Sequence, residues 1–166
     1  MEVYLIKKIA RAEVLRGLAI SALSAVVAVV FLWAGINKIM NYKLFVQALA
    51  IYESTLGFPF RSLTVYIGPF VILSEIWIGI GLLVPAWRKL GAMSGSILLV
   101  FLGGIVTLTY LKGAVLPCGC FLPFGSQQPG LFHIIQDLLM FLVLIWISHS
   151  KSEQYTAPRE RFGRTL

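Results

Sequence analysis

Two cysteines, Cys118 and Cys120, stand in the run Pro117-Cys118-Gly119-Cys120-Phe121, and the chain has no others. A disulfide needs its two Cα atoms about 4.4–6.8 Å apart, and residues two apart on an extended chain lie near or beyond that limit. The residue between them must bend, and glycine bends most easily. A Cys-Gly-Cys bridge is therefore strained, which raises its reduction potential and makes it labile. As a staple it would do little, because it closes almost no loop. Thiol–disulfide exchange is the chemistry this spacing suits best. Two alternatives stand beside it. The sulfurs could hold a soft metal such as Cu(I) or zinc with His133, though such sites normally take more ligands. They could also be inert thiols.

Four further polar residues sit in or beside apolar sequence. His133 and Asp137 are four apart and share one helical face. Asp137 lies roughly 9 Å inside its apolar stretch at 1.5 Å per residue. A carboxylate at that depth is costly unless it is paired or wet. Lys38 follows the first apolar stretch, so Lys38, His133 and Asp137 are expected to meet in one layer beneath the cysteines. They would act as a proton relay in which His133 activates a thiol, or as a polar clamp between helices. Glu75 is deeper, roughly 18 Å from the start of its stretch. Lys38 reads as too shallow to reach it. Glu75, with Lys38 and Trp77, forms the candidate set for a cofactor, a membrane quinone being the one considered. A neutral, hydrogen-bonded carboxyl is the blander reading of Glu75.

These residues must be positioned by membrane helices. Of the 166 residues, 58% are hydrophobic and 13% charged, and mean hydropathy is +0.87. A soluble domain of this size could not hide that much apolar surface. The apolar residues fall in four blocks, Leu18–Ile36, Leu63–Val84, Leu90–Leu111 and Leu131–Ile147. Each is long enough to cross roughly 30 Å of hydrocarbon as a helix, and in lipid the backbone must satisfy itself. The expected fold is an all-α, four-helix transmembrane bundle over residues 17–148.

The net charge of +7 does not point to nucleic acid, because the charges flank the apolar blocks. Lys7, Lys8, Arg11, Arg16, Arg88, Lys89, Lys151, Arg159, Arg161 and Arg164 fall on one side of the expected bundle. Lys38, Lys43, Arg61 and Lys112 fall on the other. The positive-inside rule puts both termini in the cytoplasm of a cell (inner) membrane protein. The cysteine loop is then outside, where thiols meet oxidising conditions. The first block runs on into Trp33-Ala34-Gly35-Ile36-Asn37-Lys38 without a small-x-small cleavage site, so it reads as a retained helix.

Residues 1–16 mix apolar and basic positions and read as a cytoplasmic segment, either helical against anionic lipid or frayed. In the first outer loop, Tyr42–Leu56 is apolar enough for an interfacial helix, with Gly57 to cap it and Pro59 to stop it. Gly79, Gly81, Gly91, Gly95, Gly103 and Gly104 allow close helix approach. Residues 149–166 read as a polar cytoplasmic tail.

Three runs resemble the DoxX-like superfamily and, within it, the methylamine-utilisation protein MauE family. They are Phe31-Leu-Trp-Ala-Gly35-Ile-Asn-Lys38, Glu75-Ile-Trp-Ile-Gly79 and Cys118-Gly119-Cys120-Phe121. The likeness covers roughly residues 18–147. It implies a four-span bundle that acts in extracytoplasmic thiol–disulfide chemistry with a thioredoxin-fold partner. Cys118 and Cys120 would then be catalytic, and quinone a cofactor to consider. The competing function is a non-enzymatic assembly or transport subunit with incidental cysteines.

Overall fold

The computed structural model describes residues 2–57, 64–113 and 131–150. Five helices form there: α1 Glu2–Met40, α2 Tyr42–Leu56, α3 Thr64–Leu83, α4 Arg88–Leu111 and α5 Leu131–His149. No strand occurs among the described residues. Helices α1, α3 and α4 are long and apolar enough to cross a membrane, and the described apolar part of α5, Ile134–His149, is shorter. Helix α1 packs mainly on α3, α3 on α4, and α4 on α5, while α2 lies chiefly on α3.

The helix bounds follow local chemistry. Helix α2 covers the expected Tyr42–Leu56 and ends at Gly57, whose φ of 75° is left-handed and whose N–H reaches the Glu53 carbonyl at 3.0 Å. Glycine takes that backbone at no steric cost. The α3–α4 connection is short. Trp87 N–H donates to the Val84 carbonyl at 3.0 Å, and Gly91 N–H to the Trp87 carbonyl at 2.8 Å. Helix α1 goes beyond the expected Leu18–Ile36. It runs unbroken from Glu2, so the basic N-terminal segment and the first span are one element. Its 39 residues measure roughly 58 Å, nearly twice a hydrocarbon core. Arg11 and residues 13–19 of α1 are exposed beyond the bundle. The tail beyond residue 150 lies outside the described residues.

The core has two parts. The larger joins Val27, Ala28 and Phe31 of α1, Ile78 and Leu82 of α3, Ala92, Leu98 and Leu99 of α4, and Leu144 and Ile147 of α5. It occupies the half nearer the α3–α4 turn. The smaller joins Phe45 of α2 to Val71 and Ile72 of α3 at the other end. Glycines set the spacing where helices cross. A Cβ at Gly91 would stand 3.0 Å from both the Gly81 carbonyl carbon and the Leu82 nitrogen, so α3 and α4 touch through backbone. A Cβ at Gly79 would stand 2.6 Å from Cγ of Leu32 and 3.1 Å from the Ala28 carbonyl oxygen. Gly104, in contrast, has nothing within 4 Å. Lipid supplies no hydrophobic drive between helices, so this closeness carries the packing energy.

Gly91→Val should therefore cost about 1–3 kcal/mol by overpacking against backbone that cannot yield. Gly104→Ala should be neutral or stabilising, since it adds helix propensity in open space. Thermal denaturation of the two purified variants in detergent tests the contrast.

Candidate functional site

Buried positions on α1 include Ser24, Ala28, Phe31, Ala34 and Lys38, three or four apart. On α3 they include Ile72, Glu75, Ile78 and Leu82. Each set is one inward stripe, and each contains one charged residue. The two stripes face one another and the two charges meet. Lys38 Nζ donates to Glu75 Oε1 at 2.6 Å and to Oε2 at 2.8 Å. The side chains are 1% and 5% exposed.

This pairing corrects the expectation that Lys38 is too shallow for Glu75. The depths were reckoned from the starts of two spans taken as flush, and α1 and α3 are staggered. A Cβ at Gly35 would lie 3.5 Å from Cβ of Glu75 and 3.0 Å from Cγ1 of Ile76. Lys38 is thus only about one turn from the level of Glu75. Side chains on a helix lean toward its N-terminus, and α1 and α3 run antiparallel. Lys38 leans back along α1 while Glu75 leans the opposite way, and the remaining gap closes.

Helix α2 covers the pair. The Phe45 ring centroid lies 5.6 Å from Lys38 Nζ, within cation–π range. A Cβ at Gly68 of α3 would meet Phe45 Cε1 at 3.6 Å, Leu49 Cδ1 at 3.7 Å and Tyr42 Oη at 3.8 Å, so α2 rests on a glycine step. Phe45 stands seven residues, about two turns, beyond Lys38 across the Asn41 junction, and that spacing is the sequence signal for this contact.

The other expected site residues are distributed differently. Asp137 on α5 is half-buried, and its Oδ2 lies 3.8 Å from where a Cβ of Gly103 on α4 would be. Trp77 is two residues beyond Glu75, on the exposed face of α3. It is 56% exposed and stacks on Trp87 with centroids 5.4 Å apart and planes at 30°. The structure thus joins Lys38 to Glu75 and turns Trp77 away from both. His133 belongs to α5, but its side chain lies outside the described residues, as do Cys118 and Cys120. Among the described residues no cluster of three or more His, Cys, Asp or Glu could hold a metal ion.

The model of one family, methylamine utilisation protein MauE, matches residues 16–149. The chain belongs to the MauE family. No curated protein and no solved structure matches it. With its long apolar helices, this MauE-family chain is a multi-pass membrane protein connected by family with methylamine utilisation. The matched stretch takes in Lys38, Glu75, Asp137 and both cysteines.

An ammonium and a carboxylate within 2.8 Å can share a proton and offer a hydrogen-bond donor beside an acceptor. Removing one partner strands the other in a medium that cannot solvate it. Lys38→Met alone should cost about 3–5 kcal/mol, and the double change Lys38→Met with Glu75→Met should recover most of that loss. A double-mutant cycle of melting temperatures in detergent measures the coupling. Additive single effects would show that the contact does not persist in solution.

Proposed function

We propose that this MauE-family protein is a thiol–disulfide oxidoreductase of the cell (inner) membrane that acts through Cys118 and Cys120. In this reading α5 is the fourth span. Its 19 residues reach roughly 28 Å, close to a hydrocarbon thickness. Both termini are cytoplasmic, and α2 lies in the outer interface. The segment between Gly113 and Leu131, which carries the cysteines, faces the extracytoplasmic side. The distribution of lysine and arginine along the chain supports that orientation.

The observation that carries the reading is the Cys-Gly-Cys pair within the family-matched stretch, in the segment that joins α4 to α5. That segment joins these helices at the end where α2 and the Lys38–Glu75 pair sit. In exchange, the thiolate of one cysteine attacks a partner's disulfide sulfur and forms a mixed disulfide, releasing the partner's second thiolate. The other cysteine then attacks the mixed bond. The chain is left oxidised and the partner reduced, and the reverse sequence is equally balanced. A thioredoxin-fold extracytoplasmic protein suits the partner role, because it presents a reactive cysteine pair of its own.

Intact cells treated with a membrane-impermeant, mass-tagged maleimide should label Cys118 and Cys120 only after reduction. A Cys120→Ser variant should accumulate a mixed disulfide with the partner, identifiable by mass spectrometry. Equal labelling with and without reductant, together with full function of Cys118→Ser, would leave a non-enzymatic assembly subunit in place of the oxidoreductase.

A further inference from the structure

We propose that the α3–α4 turn is a binding site for an anionic phospholipid. Arg88 and Lys89 hold its phosphate, and the stacked rings of Trp77 and Trp87 carry its glycerol esters and the first part of an acyl chain. The site lies at the opposite end of α4 from the cysteine segment, so it stands apart from the thiol–disulfide reading.

Arg88 and Lys89 stand side by side at the start of α4, and no aspartate or glutamate occurs between Glu75 and Asp137. Glu75 is engaged by Lys38. Among the described residues neither Arg88 nor Lys89 has a carboxylate partner. Lys89 is exposed. Arg88 is half-buried, and its Nε donates to the Leu82 carbonyl at 3.4 Å. That contact uses one guanidinium donor and holds the group over the end of α3. The donors on the two terminal nitrogens are left in the planar fork that matches a phosphate. Helix α1 runs antiparallel to α3, so its exposed stem passes the same end, where Arg11 and Arg16 outweigh Glu13.

The rings lie on the hydrocarbon side of these charges. Trp77 stands six residues before the end of α3 at Leu83, roughly 9 Å along the axis. Trp87 directly precedes α4, yet its ring reaches back to Trp77, with centroids 5.4 Å apart. The head-group layer of one leaflet is roughly 5–7 Å deep, so cations at the turn and rings below it span that layer. Indole rings favour this depth, apolar on their faces and polar at their N–H. Leu73 and Ile80, each about one turn from Trp77 on the same side of α3, are exposed as well. They continue the apolar track along which an acyl chain would run.

The combination selects the occupant. A free phosphate would meet the cations and gain nothing from the rings. An acidic protein segment in water would likewise leave the rings unused. An anionic phospholipid engages both, and a zwitterionic one brings an ammonium that the two cations repel.

Quenching of tryptophan by brominated lipids tests the site. The full-length chain with Trp33→Phe and Trp146→Phe keeps Trp77 and Trp87 as its only tryptophans. It is reconstituted in vesicles of equal parts phosphatidylcholine and phosphatidylglycerol, with one or the other lipid brominated. Brominated phosphatidylglycerol should quench more strongly, to an extent that reports a preference of about five-fold, the worth of one basic residue near an anionic surface. Lys89→Gln, which leaves the Leu82 contact in place, should lower the preference. Arg88→Gln with Lys89→Gln should abolish it while the melting temperature confirms a folded bundle. Equal quenching by the two lipids when Arg88 and Lys89 are intact overturns the proposal, as does a preference that survives in the folded double variant. Replacing chloride with inorganic phosphate at constant ionic strength should leave the preference unchanged. Its loss there would show that a free anion occupies the cations, and the lipid assignment would fall.

Discussion

An ammonium and a carboxylate in contact at 2.6 Å, with almost no exposure to solvent, lock the register of α1 against α3. Apolar helices in lipid can slide past one another at little cost, since one leucine contact resembles the next. A buried ion pair cannot slide. A shift of one turn would separate the charges by roughly 5 Å in a medium that solvates neither. Gly35 and Gly79 reinforce the same register from either side. Each lies where the neighbouring helix leaves no room for a Cβ without displacing a side chain, against Ile76 in one case and Leu32 in the other. The electrostatic and steric constraints therefore select the same alignment.

From this fixed line the bundle divides into two halves of different character. Toward the α3–α4 turn the backbones of Gly81 and Gly91 touch, and the larger apolar cluster joins α1, α3, α4 and α5. Toward α2 the packing is more open. Gly104 has no neighbour within 4 Å, residues 102–107 of α4 include no fully buried position, and Asp137 is only half-buried. Lys38, Glu75 and Asp137 lie in the looser half, and the cysteine segment joins its helices at that end.

Much of this was legible in the sequence. Apolar blocks bounded by glycine, proline and basic residues gave α3, α4 and α5 to within two residues at each end, and the Gly57 stop gave α2. Helix α1 runs on past the expected start of its span because polarity changes near Arg16 while helix propensity does not; within residues 2–18 only Gly17 could weaken it. The ion pair was misjudged because depth was counted along each span separately. The signal was present all the same, since Lys38 continues the three-or-four spacing of Ser24, Ala28, Phe31 and Ala34. Trp77 could also have been separated from Glu75, because residues two apart on a helix point to nearly opposite faces. The chemistry expected of Cys118 and Cys120 rests on their spacing, and both lie outside the described residues.

The junction at Asn41 has a mechanical corollary. One residue separates α1 from α2, and hydrogen bonds run through it, from Asn41 N–H to the Asn37 carbonyl and from Phe45 N–H to the Asn41 carbonyl. The Asn41 side chain also ties back to Asn37. Little slack is left at this elbow. A roll of the long first helix about its axis is carried into a sideways swing of the short one, as a crankshaft drives its arm. Force applied to the exposed stem of α1 at one end of the molecule can thus be felt at Phe45, some twenty-five residues away.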